Sequence, residues 1–261
     1  MMDSFSIWAD IYDEIYADIT EDINFYLLQA RHADGPILEL GSGTGRITLP
    51  LLNAGHDISG LDVSKNMMDS LLRKIDELNK PVKGEFVIGD MAYTGDLFEK
   101  KFKLVIVPYR GFQSLLSSSA QEQCLVGLRN ILDKDHKVII NIFTPNLEMF
   151  DQNSNMTYKT KIISNPHSGE DLSVWHRTKI SISNQTLNVD IKVETSQDGS
   201  IYKTRYAPFK LRYIYPYEAK YLFHYCGYEI VDLIGDYDGT PYNNPSQDMI
   251  WTIRKREIYY A

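Results

Sequence analysis

The stretch ILELGSGTGRITLPL, residues 37–51, decides how the fold of this chain is interpreted. An apolar run ends in Gly-Ser-Gly-Thr-Gly, and a helical pattern follows it directly. Glycine is needed where a strand turns sharply into a helix and where a ligand approaches the backbone closely. The first turn of such a helix presents N–H groups to an anionic or polar ligand. The stretch therefore predicts a buried strand, a ligand-binding turn and a helix.

Apolar runs of the same kind alternate with helical patterns up to about residue 146. We predict strands at residues 36–40, 58–62, 84–89, 103–108 and 137–143. They are nearly continuous in Ile, Val and Leu, as expected for strands that are covered on both faces. Ser119 with Glu122 predicts a capping box at the start of the last intervening helix. The alternation predicts an α/β fold, a doubly wound Rossmann-like sheet that is mostly parallel.

The pattern changes near residue 150. Residues 156–164, 171–183, 185–195 and 200–213 are rich in alternating β-type sequence and are separated by turn signals. We predict an inserted antiparallel β-meander over residues 151–214, after the fifth strand, which covers the substrate cleft. Residues 1–150 and 215–261 are assigned to the core, with an N-terminal helical lid. A helix at 217–226 that ends at Gly227 and two final strands, the last antiparallel, complete the core.

Composition excludes several classes of protein. The net charge of −8 argues against a large phosphate-backbone footprint, so no nucleic-acid partner is predicted. Cys124 and Cys226 are far apart and lack metal spacing, and the histidines show no HxxxH, so neither a disulfide scaffold nor a metal site is expected. The N-terminus is acidic and amphipathic, and no apolar run approaches 18 residues. We therefore expect a cytoplasmic protein without a membrane partner; a homodimer through the inserted sheet is left open.

The glycine spacing and two carboxylates separate two classes of cofactor. Gly41, Gly43 and Gly45 form GxGxG and not the GxGxxG of dinucleotide-binding folds. Asp62 ends the second strand, where a carboxylate can accept both hydroxyls of a ribose, in NAD as in other nucleotides. Glu39 lies inside the first strand, and its charge would repel a pyrophosphate but attract an ammonium group. Together, the GxGxG spacing, Asp62 and Glu39 favour a cofactor in which a nucleoside is joined to an amino acid.

These motifs resemble those of the class I S-adenosylmethionine-dependent methyltransferases over about residues 36–146. The resemblance implies that S-adenosyl-L-methionine is the cofactor and that the glycine turn holds its methionine part, with Glu39 near the amino group. It also implies that Asp62 binds the ribose, that Asp90 accepts from the adenine amine and that Met91 frames the ring. Met67 is a further candidate for the adenine contact, with core packing as the alternative.

A second, looser resemblance concerns the acceptor side. Residues 107–116, VPYRGFQSLL, resemble a stretch of bacterial small-molecule methyltransferases similar to sugar N-methyltransferases and glycine N-methyltransferases. Because ligands of such sheets bind beyond the carboxyl ends of the strands, Tyr109, Arg110 and Gln113 at the end of the fourth strand are expected to face the methyl group as catalytic candidates. Many relatives have His where this chain has Ser114, and the lack of this base weakens O-methylation more than N-methylation.

Two further groups of candidates leave alternatives open. Arg110 is suited to a carboxylate or phosphate of the substrate; the alternatives are a structural acid or the cofactor carboxylate. Tyr12 and Tyr16 lie one helical turn apart in the N-terminal segment, which closes over the cofactor in related enzymes. Tyr12 is assigned to the cofactor and Tyr16 to catalysis, with plain packing on the core as the alternative.

The expected function is methyl transfer to a small polar acceptor, an amine or a sugar, by direct in-line displacement. Positioning of the reacting groups supplies most of the acceleration in such a reaction. Two alternatives stay open at this point: a nicotinamide-dependent oxidoreductase and a noncatalytic cofactor-binding module. The first lacks the usual glycine spacing; the complete set of cofactor motifs argues against the second, whereas Ser114 in place of His leaves it open.

Overall fold

The computed structural model describes residues 8–9, 11–145, 158–165 and 169–256. A seven-stranded sheet forms the centre, and its strands are the apolar runs of the sequence. They are β1 (Ile37–Leu40), β2 (Ile58–Asp62), β3 (Phe86–Ile88), β4 (Phe102–Val107), β5 (Leu132–Phe143), β10 (Tyr228–Ile234) and β11 (Asp248–Lys255). Every residue of β1 is buried, because helices cover both faces of the sheet.

The order of the strands in this sheet is β10-β11-β5-β4-β1-β2-β3. The pairs β2–β1, β1–β4 and β4–β5 are parallel, whereas β11 runs antiparallel to both β5 and β10. β1 therefore separates two halves that are wound in opposite directions. In such sheets ligands bind at the carboxyl ends of the strands, beside this switch point.

A second sheet contains the four remaining strands in the order in which they follow in the chain. They are β6 (Tyr158–Asn165), β7 (Glu170–Ser181), β8 (Thr186–Gln197) and β9 (Ser200–Arg212). All neighbouring pairs are antiparallel. The predicted fold class, with a meander inserted after the fifth strand, is confirmed. Residues 146–157, at the start of the predicted insertion, lie outside the described residues.

In the described part of the chain, six α-helices accompany the strands, and the predicted start of one of them is corrected. They are α1 (Tyr12–Tyr16), α2 (Glu21–Ala33), α3 (Thr48–Asn53), α4 (Lys65–Glu77), α5 (Ser118–Leu128) and α6 (Pro216–Tyr225). The predicted capping box of Ser119 and Glu122 is wrong. The hydroxyl of Ser117 accepts from the backbone N–H of Ala120 at 3.1 Å, so α5 begins before Ser119. Gly227, just after α6, has the expected positive φ of 80°.

The bounds of β5 also differ from the prediction. The strand begins at Leu132, five positions before the predicted residue 137, and its pairing with β4 shifts between Phe102 and Leu104. Lys134, Asp135 and Lys137 are polar and exposed, so periodicity gave no sign of this half of the strand. In the part of the chain that the structure describes, no helix has the length and apolar character needed to span a membrane.

Candidate active site

A cavity of about 380 Å³ lies at the carboxyl ends of β1, β2 and β4, at the switch point of the large sheet. Its walls come from the glycine turn, the strand ends, the N-terminal segment and the inserted sheet. Most residues selected from the sequence line it: Tyr12, Tyr16, Glu39, Gly41, Gly43, Asp62, Met67, Asp90, Met91, Tyr109 and Arg110. The fold thus collects groups that are distant in sequence, from Trp8 to Leu211, at one place.

The glycine turn leaves space that a side chain would fill. Gly41 and Gly43 have φ values of 75° and 55°, a region that favours glycine. A Cβ on Gly41 would enter the cavity 3.6 Å from the Met91 methyl and 3.9 Å from the Gly111 Cα. The hydroxyl of Ser42 is buried beside it without a partner among the described residues. A backbone cradle with an unpaired donor fits a polar ligand such as the methionine part of the predicted cofactor.

Gly45, predicted to contact the cofactor, does not line this cavity. Its φ is 93°, and a Cβ there would lie 2.5 Å from Leu71 Cδ1 and 3.0 Å from Leu49 Cγ. The residue is glycine because the turn packs closely against α4. Gly45 therefore permits close packing beneath the turn. The GxGxG spacing alone could not distinguish this packing role from contact with the ligand.

Glu39 is the most unusual ionisable group of the site. It is 2% exposed, and its carboxyl group accepts a hydrogen bond from the hydroxyl of Thr48 on α3. Burial raises the pKa of Glu39 from its ordinary 4.5 to about 8. The group is therefore largely protonated at neutral pH. Its predicted contact with the amino group of the cofactor stays a prediction.

Asp62 and Asp90 follow β2 and β3 and join the loops at the strand ends. Asp62 accepts from the backbone N–H groups of Gly43 and Ser64, each at 2.8 Å. Asp90 accepts from the Ala92 N–H at 2.9 Å and so caps the short 3₁₀ helix Met91–Asp96. Both carboxylates are fixed in place by backbone donors at the cavity wall. Their predicted contacts with ribose and adenine stay predictions.

Three aromatic side chains of the N-terminal segment cover the cavity. The ring centroids are 6.1 Å apart for Trp8 and Tyr16, 4.8 Å for Tyr12 and Tyr16, and 5.3 Å for Tyr16 and Tyr109. Burial raises the pKa of Tyr12, Tyr16 and Tyr109, so their phenols stay protonated at neutral pH. They can donate hydrogen bonds but cannot act as bases. Met67 lies beneath them, both in the core and at the cavity wall.

α1 is tied to both neighbouring parts of the molecule. On one side, Asp13 accepts a hydrogen bond from the Thr44 hydroxyl at 2.6 Å and pairs with Lys74. On the other, Glu14 pairs with Arg205 of β9 at 2.7 Å. Asp18, just after α1, binds Lys161 of β6. The segment therefore bridges the glycine turn and the inserted sheet above the cavity.

The turn after β4 holds its two catalytic candidates in a strained conformation. Tyr109 and Arg110 have φ values of 43° and 67°, which non-glycine residues seldom adopt. The Arg110 N–H donates to Asn141 Oδ1 at 3.1 Å, and Asn141 Nδ2 donates to Asp248 at 3.0 Å. Asn141 is 1% exposed, so a buried amide fixes the turn from below. A strained backbone conformation of this kind persists only where the surrounding contacts hold it, and such residues cluster at active sites and ligand-binding sites.

Gln113, predicted to face the methyl group, is placed elsewhere. Its side chain is fully buried and does not line the cavity; Nε2 donates to the Arg212 carbonyl at 3.1 Å, and Oε1 accepts from the Phe143 N–H at 3.0 Å. It joins the turn after β4 to β5 and β9. Ser114 does line the cavity, and its hydroxyl donates to the Gly111 carbonyl at 2.7 Å. Sequence spacing could not show which side of the turn Gln113 occupies.

Arg46 lines the cavity as well, although the sequence motifs did not select it. Its guanidinium donates to both oxygens of Asp22, each at 2.6 Å, and lies 5.1 Å from the centre of the Tyr109 ring. Asp22 is 1% exposed, so this pair is buried. It fixes α2 against the glycine turn. The partner lies 24 positions away in sequence, and no local pattern reveals such a contact.

The inserted sheet and the N-terminus add apolar wall residues that were also missed. Phe209 and Leu211 of β9 line the cavity together with Trp8, whose ring lies 5.3 Å from that of Phe209. They give the cavity a roof that the core alone would not supply. An aromatic residue at 8, one turn before Tyr12, was the available signal.

The chain is similar to known methyltransferases in sequence and in fold. Residues 37–135 match a family model described as a methyltransferase domain. An uncharacterized methyltransferase of Bacillus pumilus is 29% identical over 144 residues, which are 52% of this chain and 63% of that protein. The matches span between 36% and 63% of the length of the curated relatives.

Solved structures match over nearly the whole chain. The CcbJ methyltransferase from Streptomyces caelestis has a TM-score of 0.81 at 25% identity, with 95% of this chain and 96% of that chain covered. CalS10, an amino pentose methyltransferase from Micromonospora echinaspora solved with bound SAM, has a TM-score of 0.69 at 14% identity; the match covers 93% and 95% of the two chains. The second match is one of fold alone.

Proposed function

Because residues 37–135 are a methyltransferase domain on the class I fold, we propose that this chain transfers the methyl group of S-adenosylmethionine to an amine on a small polar acceptor. The family match over residues 37–135 and the shared fold of the structural neighbours support the predicted family and cofactor. The reaction of the whole chain and its acceptor are the proposal. The observation that carries it is a single cavity with carboxyl groups at one end and a closed aromatic wall at the other.

The carboxyl end of the cavity suits the cofactor. We assign the amino group to Glu39, the ribose hydroxyls to Asp62 and the adenine amine to Asp90, with Met91 beside the ring. When bound, S-adenosylmethionine supplies an electrophilic methyl group on a positively charged sulfur. The chain contributes the open space of the glycine turn, the unpaired Ser42 hydroxyl and carboxylates that backbone donors hold in place, so it binds and orients the cofactor.

The aromatic end of the cavity favours an amine over a hydroxyl acceptor. O-methylation of an alcohol needs a base, and the phenols of Tyr12, Tyr16 and Tyr109 stay protonated because burial raises the pKa of each. Ser114 cannot accept the proton unaided. A neutral amine needs no base before attack, since its lone pair is already available. Positioning by the closed wall then supplies the acceleration.

The size of the cavity favours a small acceptor. About 380 Å³ must hold both cofactor and acceptor, and β9 with the N-terminal segment closes the roof. A large protein or nucleic-acid substrate would have to displace this roof. CalS10, an amino pentose methyltransferase with the same fold, supports an acceptor of the amino-sugar type.

Titration calorimetry separates this function from the nicotinamide alternative. We expect saturable binding of S-adenosylmethionine and S-adenosylhomocysteine and no heat with NAD. Release of S-adenosylhomocysteine is then measured with amino sugars, amino acids, simple amines and phenols. Turnover with amines but not with phenols supports the proposal. Saturable NAD binding without binding of S-adenosylhomocysteine, or turnover confined to phenols, would contradict it.

A further inference from the structure

The two guanidinium groups of the cavity differ in what neutralises them. Arg46 and Arg110 both lie over the Tyr109 ring, 5.1 and 5.5 Å from its centre. Asp22 binds Arg46 through both carboxylate oxygens. Among the described residues, no carboxylate oxygen lies within 4.0 Å of the Arg110 guanidinium. Arg110 therefore brings a positive charge to the cavity that the described part of the chain does not pair.

The surroundings of Arg110 hold this charge in place. The guanidinium lies 5.3 Å from the Phe143 ring centre as well as over Tyr109, so aromatic faces flank it. Asn141 fixes its backbone and also binds Asp248, the nearby acid. A guanidinium that stacks on rings keeps its in-plane N–H groups available at the edge. Those N–H groups match the two oxygens of a carboxylate or a phosphate.

A histidine of the inserted sheet lies near Arg110 but carries no charge at neutral pH. His176 of β7 has a lowered pKa, first because it is partly buried and second because Arg110 repels its protonated form. Its imidazole is therefore neutral at neutral pH and adds no second charge. In the part of the chain that the structure describes, His176 therefore adds nothing to the positive charge that Arg110 brings to the cavity.

A second donor at this end of the cavity also has no partner. Trp8 is 3% exposed, lines the cavity and stacks on Tyr16, but its indole N–H finds no acceptor among the described residues. An indole N–H can only donate, and leaving it buried and unpaired is unfavourable. An oxygen atom of a ligand would satisfy it.

We propose that the methyl acceptor carries an anionic oxygen group, a carboxylate or a phosphate, which Arg110 binds, while Trp8 donates to another oxygen of the same molecule. This inference rests on the proposed function, because it concerns the acceptor of that reaction. It narrows the acceptor from an amine to an amine that carries an acid group. The cavity then recognises the two ends of the acceptor with different chemistry: the anion by Arg110 and the amine by its position near the methyl group.

The experiment measures the binding of three amines to the protein saturated with S-adenosylhomocysteine. Glycine carries a carboxylate, phosphoethanolamine carries a phosphate, and ethanolamine carries neither. Each is titrated into the wild type, Arg110→Gln and Arg177→Gln, the last as a control because Arg177 on β7 is exposed and already pairs with Asp190. We expect glycine or phosphoethanolamine to bind the wild type and the control at least tenfold more tightly than ethanolamine does, and Arg110→Gln to lose this preference.

The outcomes separate the two proposals. Preference for glycine assigns the carboxylate as the group, and preference for phosphoethanolamine assigns the phosphate. Equal binding of all three amines, or an unchanged preference in Arg110→Gln, would overturn the proposed anion site. The proposed function would still stand in that case, provided that the protein binds S-adenosylhomocysteine. S-adenosylhomocysteine binding that falls tenfold in Arg110→Gln would instead assign Arg110 to the cofactor carboxylate. If the wild type binds no S-adenosylhomocysteine, the proposed function itself fails.

The contribution of Trp8 has its own spectroscopic readout. The indole N–H resonance of Trp8 is assigned by its disappearance in Trp8→Phe. We expect it to move downfield when the preferred amine binds, because the N–H gains an acceptor. A resonance that does not move while the amine binds would remove Trp8 from the site.

Discussion

The charge state of Glu39 should make cofactor binding depend on pH. Its carboxyl group is buried next to the glycine turn, and burial raises its pKa to about 8. If it is the partner of the cofactor ammonium, binding selects the ionised form and releases a proton at any pH below this value. We therefore expect the affinity for S-adenosylhomocysteine to rise from pH 6 to pH 7, where the ligand ammonium stays mostly charged.

The magnitude follows from the pKa. A group with a pKa of about 8 is roughly 1% ionised at pH 6 and roughly 9% at pH 7. The affinity should therefore rise about ninefold over this interval, and each binding event at pH 7 should release about 0.9 proton. A carboxyl group with an ordinary pKa would be ionised throughout, and it would give neither effect.

Calorimetry measures both quantities. Titrations at pH 7 in two buffers with different heats of ionisation give the number of protons released, and titrations at pH 6 give the change in affinity. Glu39→Gln keeps the shape of the side chain but cannot ionise, so its weaker binding should not vary with pH. A wild-type affinity that is equal at pH 6 and pH 7, or the same variation in Glu39→Gln, would refute the assignment.

Four further outcomes test the structure. Asp62→Ala should weaken S-adenosylhomocysteine binding roughly 10- to 100-fold, since hydrogen bonds to a charged group are worth about 1.5–3 kcal/mol each. Asp57→Ala, which removes an ion pair with Lys100, is the control. An affinity of Asp62→Ala equal to that of the wild type would contradict the ribose contact. Asp22→Asn should lower the free energy of unfolding in urea by about 3–5 kcal/mol, because Arg46 is left buried and unpaired, whereas Asp69→Asn in an exposed pair should change it little. Without cofactor, the wild type should lose stability relative to Glu39→Gln as pH rises from about 4.5 towards 8, because the pKa of Glu39 is raised on folding and its ionisation is then unfavourable; a constant difference in melting temperature would contradict this. Asp13→Asn should speed amide hydrogen exchange in α1, and rates equal to those of the wild type would show that its contacts with Thr44 and Lys74 do not hold the helix.

The sequence predicted the large sheet well because the patterns that indicate its strands and turns lie within short stretches of the chain. Each core strand is an apolar run next to a helix, and the glycine turn and Gly227 have the conformations that only glycine adopts easily. The inserted meander was also visible, since alternation and turn signals lie within each hairpin. The polar first half of β5 was missed because its pairing with β4, and not its own composition, makes it a strand.

The sequence predicted which motifs form the site, but not which residues of each motif face the cavity and which ones support them. The motifs placed Glu39 and Asp62 at the cavity, because strand ends and turns fix where such residues point. Gly45 and Gln113 belong to the same motifs, yet one packs on α4 and the other binds backbone groups of β5 and β9. Whether a motif residue faces the ligand or supports the residue that does depends on neighbours distant in sequence.

The bridge that α1 makes between the glycine turn and the inserted sheet has a thermodynamic consequence. Asp13 holds the helix to the turn that binds the cofactor, whereas Glu14 holds it to the sheet that roofs the acceptor. A ligand that orders either neighbour also orders α1, and the second ligand then meets a helix that is already in place. We expect cofactor and acceptor to bind cooperatively. By linkage, each must lower the dissociation constant of the other by the same factor.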